Sequence, residues 1–240
     1  RNKKLSPVHD KIIEKGGQMG VYNGWERANW FAKKGDDTSE ISTQTWKRGG
    51  PWFRRVQEEC LAVHSNVGVL DLPGFSRYHV TGEGAGNWLL SQIVGALPAV
   101  NRMNLAYFSD SRGRVLTEMS IMRLEKDEFQ LITAGAAQWH DLAILRKGIA
   151  EGSKVNVVDE TEEWFCLIVT GPKSRDLLTK MSNADLELPW LSLQRTQIVG
   201  KDILLARVSY AGELGWEIHV RKEDLSTVYD QVILEGAVPF

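Results

Sequence analysis

The stretch that decides the fold is "RVSYAGELGWEIHV", residues 207–220. Its second half alternates, with one apolar face made by Trp216, Ile218 and Val220. The alternation predicts a strand on which Glu217 is exposed. Just before it, Glu213 lies in a turn between Gly212 and Gly215, where glycine allows a positive φ or a close approach to a ligand. The Glu213 carboxylate either caps a hairpin or points at a ligand, and these residues leave both open.

The composition is that of an ordinary globular protein. The chain has 240 residues, of which 42% are hydrophobic and 25% charged, enough for one large domain or two small ones. A formal net charge of -2 does not favour a nucleic-acid partner. No apolar run reaches the roughly 18 residues of a membrane span. We therefore expect neither nucleic acid nor a membrane among its partners.

The two cysteines, Cys60 and Cys166, are far apart and each lies in an apolar run. This predicts buried thiols and no disulfide. It also favours a reducing compartment, the cytoplasm or, in a eukaryote, the mitochondrial matrix. Cys60 and His64 have a helical ligand spacing, but no second pair completes a site, so no metal is expected.

Residues 1–54 differ from the rest of the chain. They are polar and glycine-rich, show little periodicity, and contain four of the nine tryptophans: Trp25, Trp30, Trp46 and Trp52. This predicts an arm that packs by its aromatic side chains on another domain. From residue 55 onward strands and helices alternate irregularly, which predicts an α+β fold with mixed, mainly antiparallel sheets.

Three local patterns define elements of that fold. Residues 52–68 carry an apolar helical face made by Phe53, Val56, Cys60 and Val63. The sequence "DILLARVSY", residues 202–210, predicts a strand. "GEGAG", residues 82–86, fits a plain turn between a strand and a helix better than a dinucleotide-binding loop.

Two acids are candidates for chemistry. Glu118 lies in the middle of a predicted strand, on the face opposite Met119 and Ile121. If that face is covered, the carboxylate needs a partner or a ligand; if not, it is solvated. Asp141 follows His140 and forms either an acid–base pair with it or a cap at the start of a helix, and the cap is the favoured interpretation.

Four stretches, in this order, resemble the aminomethyltransferase family, the T-protein of the glycine cleavage system: residues 66–82, 113–124, 169–178 and 207–220. "GWERANWF", residues 24–31, is similar to dimethylglycine and sarcosine dehydrogenases, flavoproteins with a folate-binding C-terminal half. The resemblance covers nearly all of residues 10–240.

The resemblance implies a T-protein-like folate-binding domain over residues 55–240, incomplete at its C-terminus. Residues 1–54 would be the arm from an upstream flavin dehydrogenase domain of the same parent chain. The implied cofactor of this chain is tetrahydrofolate, with FAD confined to the missing upstream domain. The implied substrate is a small N-methyl amine.

The resemblance also implies site residues. Glu213 matches the family's pterin-binding glutamate. Glu118 falls where the family has a catalytic aspartate, and is one methylene longer. The tyrosine that many members carry thirteen residues earlier falls on Leu105, with Tyr107 two residues on. Four further positions are expected to contact the cofactor: Phe75, Ile132, Thr133 and Tyr210.

The implied reaction passes an iminium carbon to tetrahydrofolate and gives methylene-tetrahydrofolate. The protein would mainly position two reactants, with Glu118 stabilising the cationic carbon. Two alternatives stay open: a folate-dependent O- or S-demethylase or methyltransferase, and a non-catalytic regulatory relative. The departures at Glu118 and Leu105 leave room for both, whereas "GWERANWF" opposes the first and Glu213 the second.

Overall fold

The computed structural model describes residues 4–43 and 46–240, and the chain divides into two compact units. Unit 1 is built from the chain up to Pro73, Phe165–Trp190 and Gln194–Phe240. Unit 2 is built from Gly74–Trp164 and Leu191–Leu193. Each unit contains a six-stranded sheet. The predicted α+β class with mainly antiparallel sheets is confirmed.

The elements alternate irregularly along the chain. The helices are α1 (His9–Glu14), α2 (Phe53–Ser65), α3 (Ala85–Gln92), α4 (Gln138–Lys147), α5 (Ser174–Met181) and α6 (Lys222–Leu234). The strands are β1 (Gly17–Tyr22), β2 (Trp25–Phe31), β3 (Gly68–Asp71), β4 (Phe75–Thr81), β5 (Ile93–Val94), β6 (Arg102–Ser109), β7 (Val115–Glu125), β8 (Glu128–Ala134), β9 (Asn156–Asp159), β10 (Trp164–Thr170), β11 (Leu193–Ile198), β12 (Lys201–Ala206), β13 (Gly215–Arg221) and β14 (Val238–Pro239). Within the described ranges, no helix has the length and apolar character needed to cross a membrane.

The sheet of unit 1 has the order β11-β12-β13-β10-β3-β14. One face packs on α5 and α6, and it carries the predicted apolar row of β13, all fully buried: Trp216, Ile218 and Val220. The opposite face of β13 is covered as well, because His219 is fully buried and the Glu217 side chain is only 20% exposed. The prediction that Glu217 is exposed is therefore wrong.

The N-terminal segment contains regular structure that its sequence pattern did not predict. Helix α1 and the hairpin β1–β2 belong to unit 1, where Trp25 packs edge-to-face on Phe165 at 5.6 Å between ring centroids. The division into an arm over residues 1–54 and a folate-binding domain over 55–240 stays a prediction. Residues 1–3 and 44–45 of that arm lie outside the described ranges.

Helix α2 matches the predicted helix, but its predicted apolar face is not its inner face. Cys60 is exposed, Phe53 is 51% exposed, and no residue of α2 is buried. The helix instead turns Glu59 toward β2, where the carboxylate accepts the amide hydrogen of Phe31 at 2.8 Å. Its neighbour Cys60 consequently points outward. The prediction of a buried thiol is wrong for Cys60 and confirmed for Cys166.

The sheet of unit 2 has the order β5-β6-β7-β8-β4-β9, and one face packs on α3 and α4. Strand β7 alternates as predicted: Met119 and Ile121 are buried against the helices, whereas Leu116 and Glu118 are exposed. Strand β6 was not predicted. The segment 82–86 is a plain turn from β4 into α3, as expected.

Candidate functional site

The loop between β12 and β13, residues 207–214, wraps around the carboxylate of Glu213. This carboxylate accepts hydrogen bonds from the amides of Tyr210 (3.0 Å) and Ala211 (2.7 Å) and from the hydroxyl of Ser209 (3.3 Å). Because these amides bond to Glu213, they cannot join a sheet ladder. Strand β12 consequently ends at Ala206, four residues before the predicted end of the strand.

The same contacts determine the charge of Glu213. Partial burial alone would raise the pKa of this carboxyl group. The amides of Tyr210, Glu213 and Ala211 and the Ser209 hydroxyl outweigh burial, so the pKa lies below its usual value. Glu213 is therefore an anion at neutral pH, which suits a ligand that offers positive or N–H donor groups.

The end of the loop is fixed to unit 1 through Leu214 and Gly215. The Leu214 carbonyl accepts hydrogen bonds from the Gly171 amide (2.9 Å) and the Ser174 hydroxyl (3.3 Å). Gly215 lies so close to the chain that a Cβ there would be 2.5 Å from the carbonyl oxygen of Val208. Only glycine fits at that approach, so the spacing between Glu213 and β13 depends on it.

A cavity of about 620 Å³ opens beside the loop. Its lining combines one carboxylate, one guanidinium and two aromatic side chains: Glu213, Arg207, Trp190 and Tyr210. Both aromatic side chains are exposed, Tyr210 to 97%. The volume falls in the range of small-molecule sites, roughly 300–1,000 Å³. Of the predicted contacts, Glu213 and Tyr210 thus line one cavity of unit 1.

A second group of predicted residues lies on the face of the unit 2 sheet that points away from α3 and α4. Tyr107 on β6 stands directly opposite Glu118 on β7, and the two side chains are hydrogen-bonded. This bond to the carboxylate raises the pKa of the Tyr107 hydroxyl. Leu105 lies two residues before Tyr107, on the same face. The structure therefore gives Glu118 an aromatic hydroxyl as its partner, although Leu105 occupies the expected tyrosine position.

Phe75 and Ile132 share that face. Ile132 on β8 stands opposite Ser120 of β7 and opposite Arg77 of β4, and Phe75 lies two residues before Arg77. Phe75 is 37% exposed. The sheet register thus places four of the predicted contacts on the same face as Glu118: Leu105, Tyr107, Phe75 and Ile132.

Thr133 does not belong to this group. It follows Ile132 directly, so its side chain points to the opposite face, where it is buried. Its hydroxyl donates a hydrogen bond to Asp141 at 2.7 Å. Any contact of Thr133 with a ligand on the Glu118 face would have to use its backbone.

The sequence pattern described as the GCVT N-terminal domain matches residues 8–238. The chain belongs to this family. The mitochondrial dimethylglycine dehydrogenase of Rattus norvegicus is 32% identical over 230 residues, which are 94% of this chain and 26% of that protein. The 4-methylaminobutanoate oxidase (formaldehyde-forming) of Paenarthrobacter nicotinovorans is 30% identical over 239 residues, 96% of this chain and 28% of that protein.

The fold of this GCVT domain has a counterpart among solved structures. The glycine cleavage system aminomethyltransferase T from Bartonella henselae matches with a TM-score of 0.78 and 20% identity, over 96% of this chain and 57% of that one. The resemblance to aminomethyltransferases and dimethylglycine dehydrogenases is confirmed. The chain spans about a quarter of the length of the dehydrogenase and oxidase relatives.

The GCVT domain also contains a polar network that the sequence analysis interpreted differently. Asp141 is fully buried and accepts hydrogen bonds from Thr117 (3.0 Å) and Thr133 (2.7 Å). His140 Nδ1 lies 2.8 Å from its other carboxylate oxygen. Asp141 lies in the first turn of α4, where the helix macrodipole favours an acid, as expected. Helix α4 has no side-chain cap, so the interpretation of Asp141 as a hydrogen-bonding cap is wrong. No local signal in the sequence reveals the network, because Thr117 and Thr133 come from two strands that only the fold brings together.

Proposed function

We propose that this GCVT domain binds tetrahydrofolate, with the pterin ring at Glu213. The single observation that carries the proposal is the anionic Glu213 carboxylate at the edge of a 620 Å³ cavity. The pterin edge presents a ring N–H and an amino group side by side, and a carboxylate accepts such paired donors. Trp190 and Tyr210 add two exposed rings against which a flat heterocycle can stack.

The loop limits how Glu213 can bind. A carboxylate has roughly four lone-pair positions, and the loop's own donors already use several of them. Ligand donors therefore compete with loop donors. The Ser209 hydroxyl makes the longest of these contacts, at 3.3 Å, and is the natural one to give way. Once the Ser209 hydroxyl rotates away, the Glu213 carboxylate has room to accept the paired N–H donors of a pterin.

Glu118 is the second functional residue that we propose. When bound, tetrahydrofolate supplies the nitrogen that takes up a one-carbon unit. Glu118 would stabilise positive charge on that carbon, because its carboxylate is exposed on the sheet face and therefore accessible. Tyr107 orients the carboxylate through their hydrogen bond, and Leu105, Phe75 and Ile132 supply apolar surface beside it.

The one-carbon donor that we propose is an iminium derived from a small N-methyl amine. The dehydrogenase relative, named for dimethylglycine, supports this class of substrate. In this proposal the flavin that would oxidise the amine would belong to an upstream domain of a longer parent chain. In this proposal the GCVT domain positions the iminium and the folate and forms no covalent bond to either reactant.

A calorimetric titration of the folded chain with a stable reduced folate, 5-formyl-tetrahydrofolate, tests the proposal. We expect saturable binding that weakens about tenfold to a hundredfold in Glu213→Gln, as losing a charged hydrogen bond costs about 1.5–3 kcal/mol. Asp110→Asn is the matched control, because Asp110 also accepts amides of its own turn, from Arg112 and Arg114. Equal affinity in Glu213→Gln and the wild type, or equal loss in both variants, overturns the assignment.

A second candidate rests on the oxidase relative, whose name describes it as formaldehyde-forming. In that case the iminium would be released to water, and the domain would have no folate role. The same titration separates the two candidates, since a folded chain that shows no saturable folate binding supports the second. Formaldehyde as the main product of the parent enzyme in the presence of tetrahydrofolate would support it further.

A further inference from the structure

Three potential metal ligands meet on two neighbouring strands of unit 1. Cys166 lies on β10, and Glu217 and His219 lie on β13, which pairs beside it. Their donor atoms all lie within 4.8 Å of one another. His219 Nε2 is 3.0 Å from a carboxylate oxygen of Glu217. Glu217 and His219 are two residues apart on β13 and therefore share a face of the sheet, which brings their metal-ligating atoms together.

The Cys-Glu-His cluster is largely closed to solvent. Cys166 and His219 are buried, whereas the Glu217 side chain keeps 20% of its surface exposed and gives access to solvent. On the next strand, Leu204 stands opposite His219 and Ala206 opposite Glu217, and both are buried.

We propose that the Cys-Glu-His cluster binds a divalent cation of the zinc class. A thiolate, an imidazole and a carboxylate are the three donor types that Zn²⁺ uses, whereas Mg²⁺ and Ca²⁺ select oxygen donors. Three protein ligands leave the fourth tetrahedral position to water, on the side where Glu217 reaches solvent. Binding replaces the Cys166 thiol proton with the metal and releases that proton, so affinity rises with pH.

This site is independent of the proposed folate function. None of its three residues lines the Glu213 cavity. The cluster therefore adds a structural or reactive ion to β10 and β13, and folate binding neither requires it nor tests it.

The test uses the full chain, stripped of metal by a chelator and then titrated with Zn²⁺ against a chromophoric competitor. We expect one equivalent to bind, the midpoint of thermal unfolding to rise, and Co²⁺ to give a thiolate-to-cobalt charge-transfer band. In Cys166→Ala the band and the stoichiometric binding disappear. In Cys60→Ala, which removes the exposed cysteine of α2, both persist.

Glu217→Gln is the second variant, for the case in which Cys166→Ala does not fold, because Glu217 is part-exposed and its substitution disturbs the core less. We expect this variant to bind Zn²⁺ more weakly while its circular dichroism spectrum stays unchanged. His79→Gln is a control at another histidine beside carboxylates, since His79 lies 3.2 Å from Glu128 and 3.8 Å from Glu160. The absence of saturable binding to the wild type overturns the proposal. So does binding that survives Cys166→Ala or Glu217→Gln but is lost in Cys60→Ala or His79→Gln.

Discussion

The amide nitrogen of Ala211 lies 2.7 Å from a carboxylate oxygen of Glu213, so the residue proposed to bind the pterin also folds the loop that carries it. Removing the carboxylate and neutralising it should therefore have different effects. In Glu213→Ala the amides of Tyr210 and Ala211 lose their acceptors, Oε1 and Oε2, whereas Glu213→Gln keeps one of these two oxygens.

We expect amide hydrogen exchange at residues 210–212 to be faster in Glu213→Ala than in Glu213→Gln. The global free energy of unfolding should change by less than about 1 kcal/mol, because the loop is exposed and opens locally. Hydrogen exchange followed by mass spectrometry compares residues 210–212 in the two variants, and urea denaturation measures the unfolding free energy of each. Exchange in Glu213→Ala as slow as in the wild type would show that the carboxylate does not organise this loop.

Gly215→Ala should destabilise the fold more than Gly212→Ala. A Cβ at Gly215 would lie 2.5 Å from the Val208 carbonyl oxygen, a backbone atom, and we expect a cost of about 1–3 kcal/mol. Gly212 has open space around it but a φ of 95°, so alanine there costs only the left-handed strain of about 1–2 kcal/mol. Urea denaturation of both variants measures the difference, and a smaller loss in Gly215→Ala contradicts the close approach.

Asp71 should make the stability of the chain depend on pH. It is only 6% exposed on β3, and burial raises its pKa from 3.8 to about 7, against the opposing effects of the Ser6 hydroxyl and His9. The folded state therefore binds more protons than the unfolded state between pH 4 and 7. The contribution of protonated Asp71 to the unfolding free energy is at most roughly 4 kcal/mol. It is fully present below pH 4 and is lost as the pH rises through 7.

Asp71→Asn should consequently reduce the fall in unfolding free energy between pH 5 and pH 8, measured by urea denaturation. Glu59, whose pKa burial raises to about 7, acts in the same direction, so part of the slope remains. Asp110→Asn is the control that should leave the slope between pH 5 and pH 8 unchanged, because hydrogen bonds from Arg114 and Arg112 lower the pKa of Asp110, which therefore titrates below this window. An Asp71→Asn profile that matches the wild type would show that Asp71 is not buried as described.

Glu118→Gln should lower the pKa of the Tyr107 hydroxyl toward its ordinary value of 10. The hydrogen bond to the Glu118 carboxylate, followed by the negative charge itself, raises that pKa in the wild type. Nuclear magnetic resonance of ring-labelled tyrosine follows the titration of this one residue. In Glu125→Gln, at the far end of β7, the pKa should stay raised. If Glu118→Gln leaves it raised too, the two side chains are not bonded.

The strands with a strong alternating pattern could be predicted from the sequence, and the contacts between distant segments could not. Met119 and Ile121 are apolar at every second position, so β7 followed directly, whereas the alternation left open whether the Glu118 side chain is exposed. Leu105 and Tyr107 are exposed hydrophobic residues on β6, which blurs the alternation that would have revealed this strand. Cys60 has helical spacing to its apolar neighbours, but only the packing of Glu59 on β2 determines which side of α2 faces inward.

The candidate site divides in the same way. A turn with an acid between two glycines indicated Glu213, because that feature is local. Ile132 and Thr133 were predicted together, although adjacent residues on a strand necessarily point to opposite faces. The buried Asp141 could not be recognised, since its two threonine partners come from strands that only the fold brings together.

The threonine bonds to Asp141 have a consequence for the evolution and engineering of this domain. Thr117 adjoins Glu118 in the chain, and the Thr133 hydroxyl also lies 3.3 Å from the Glu118 carbonyl oxygen. The acid exposed on one side of the sheet is thus positioned from the side that no substrate reaches. A mutational library restricted to the solvent-facing residues would therefore not vary the position of Glu118. Substitutions at Thr117, Thr133 or Asp141 would shift that position without changing any side chain beside Glu118 on its own face.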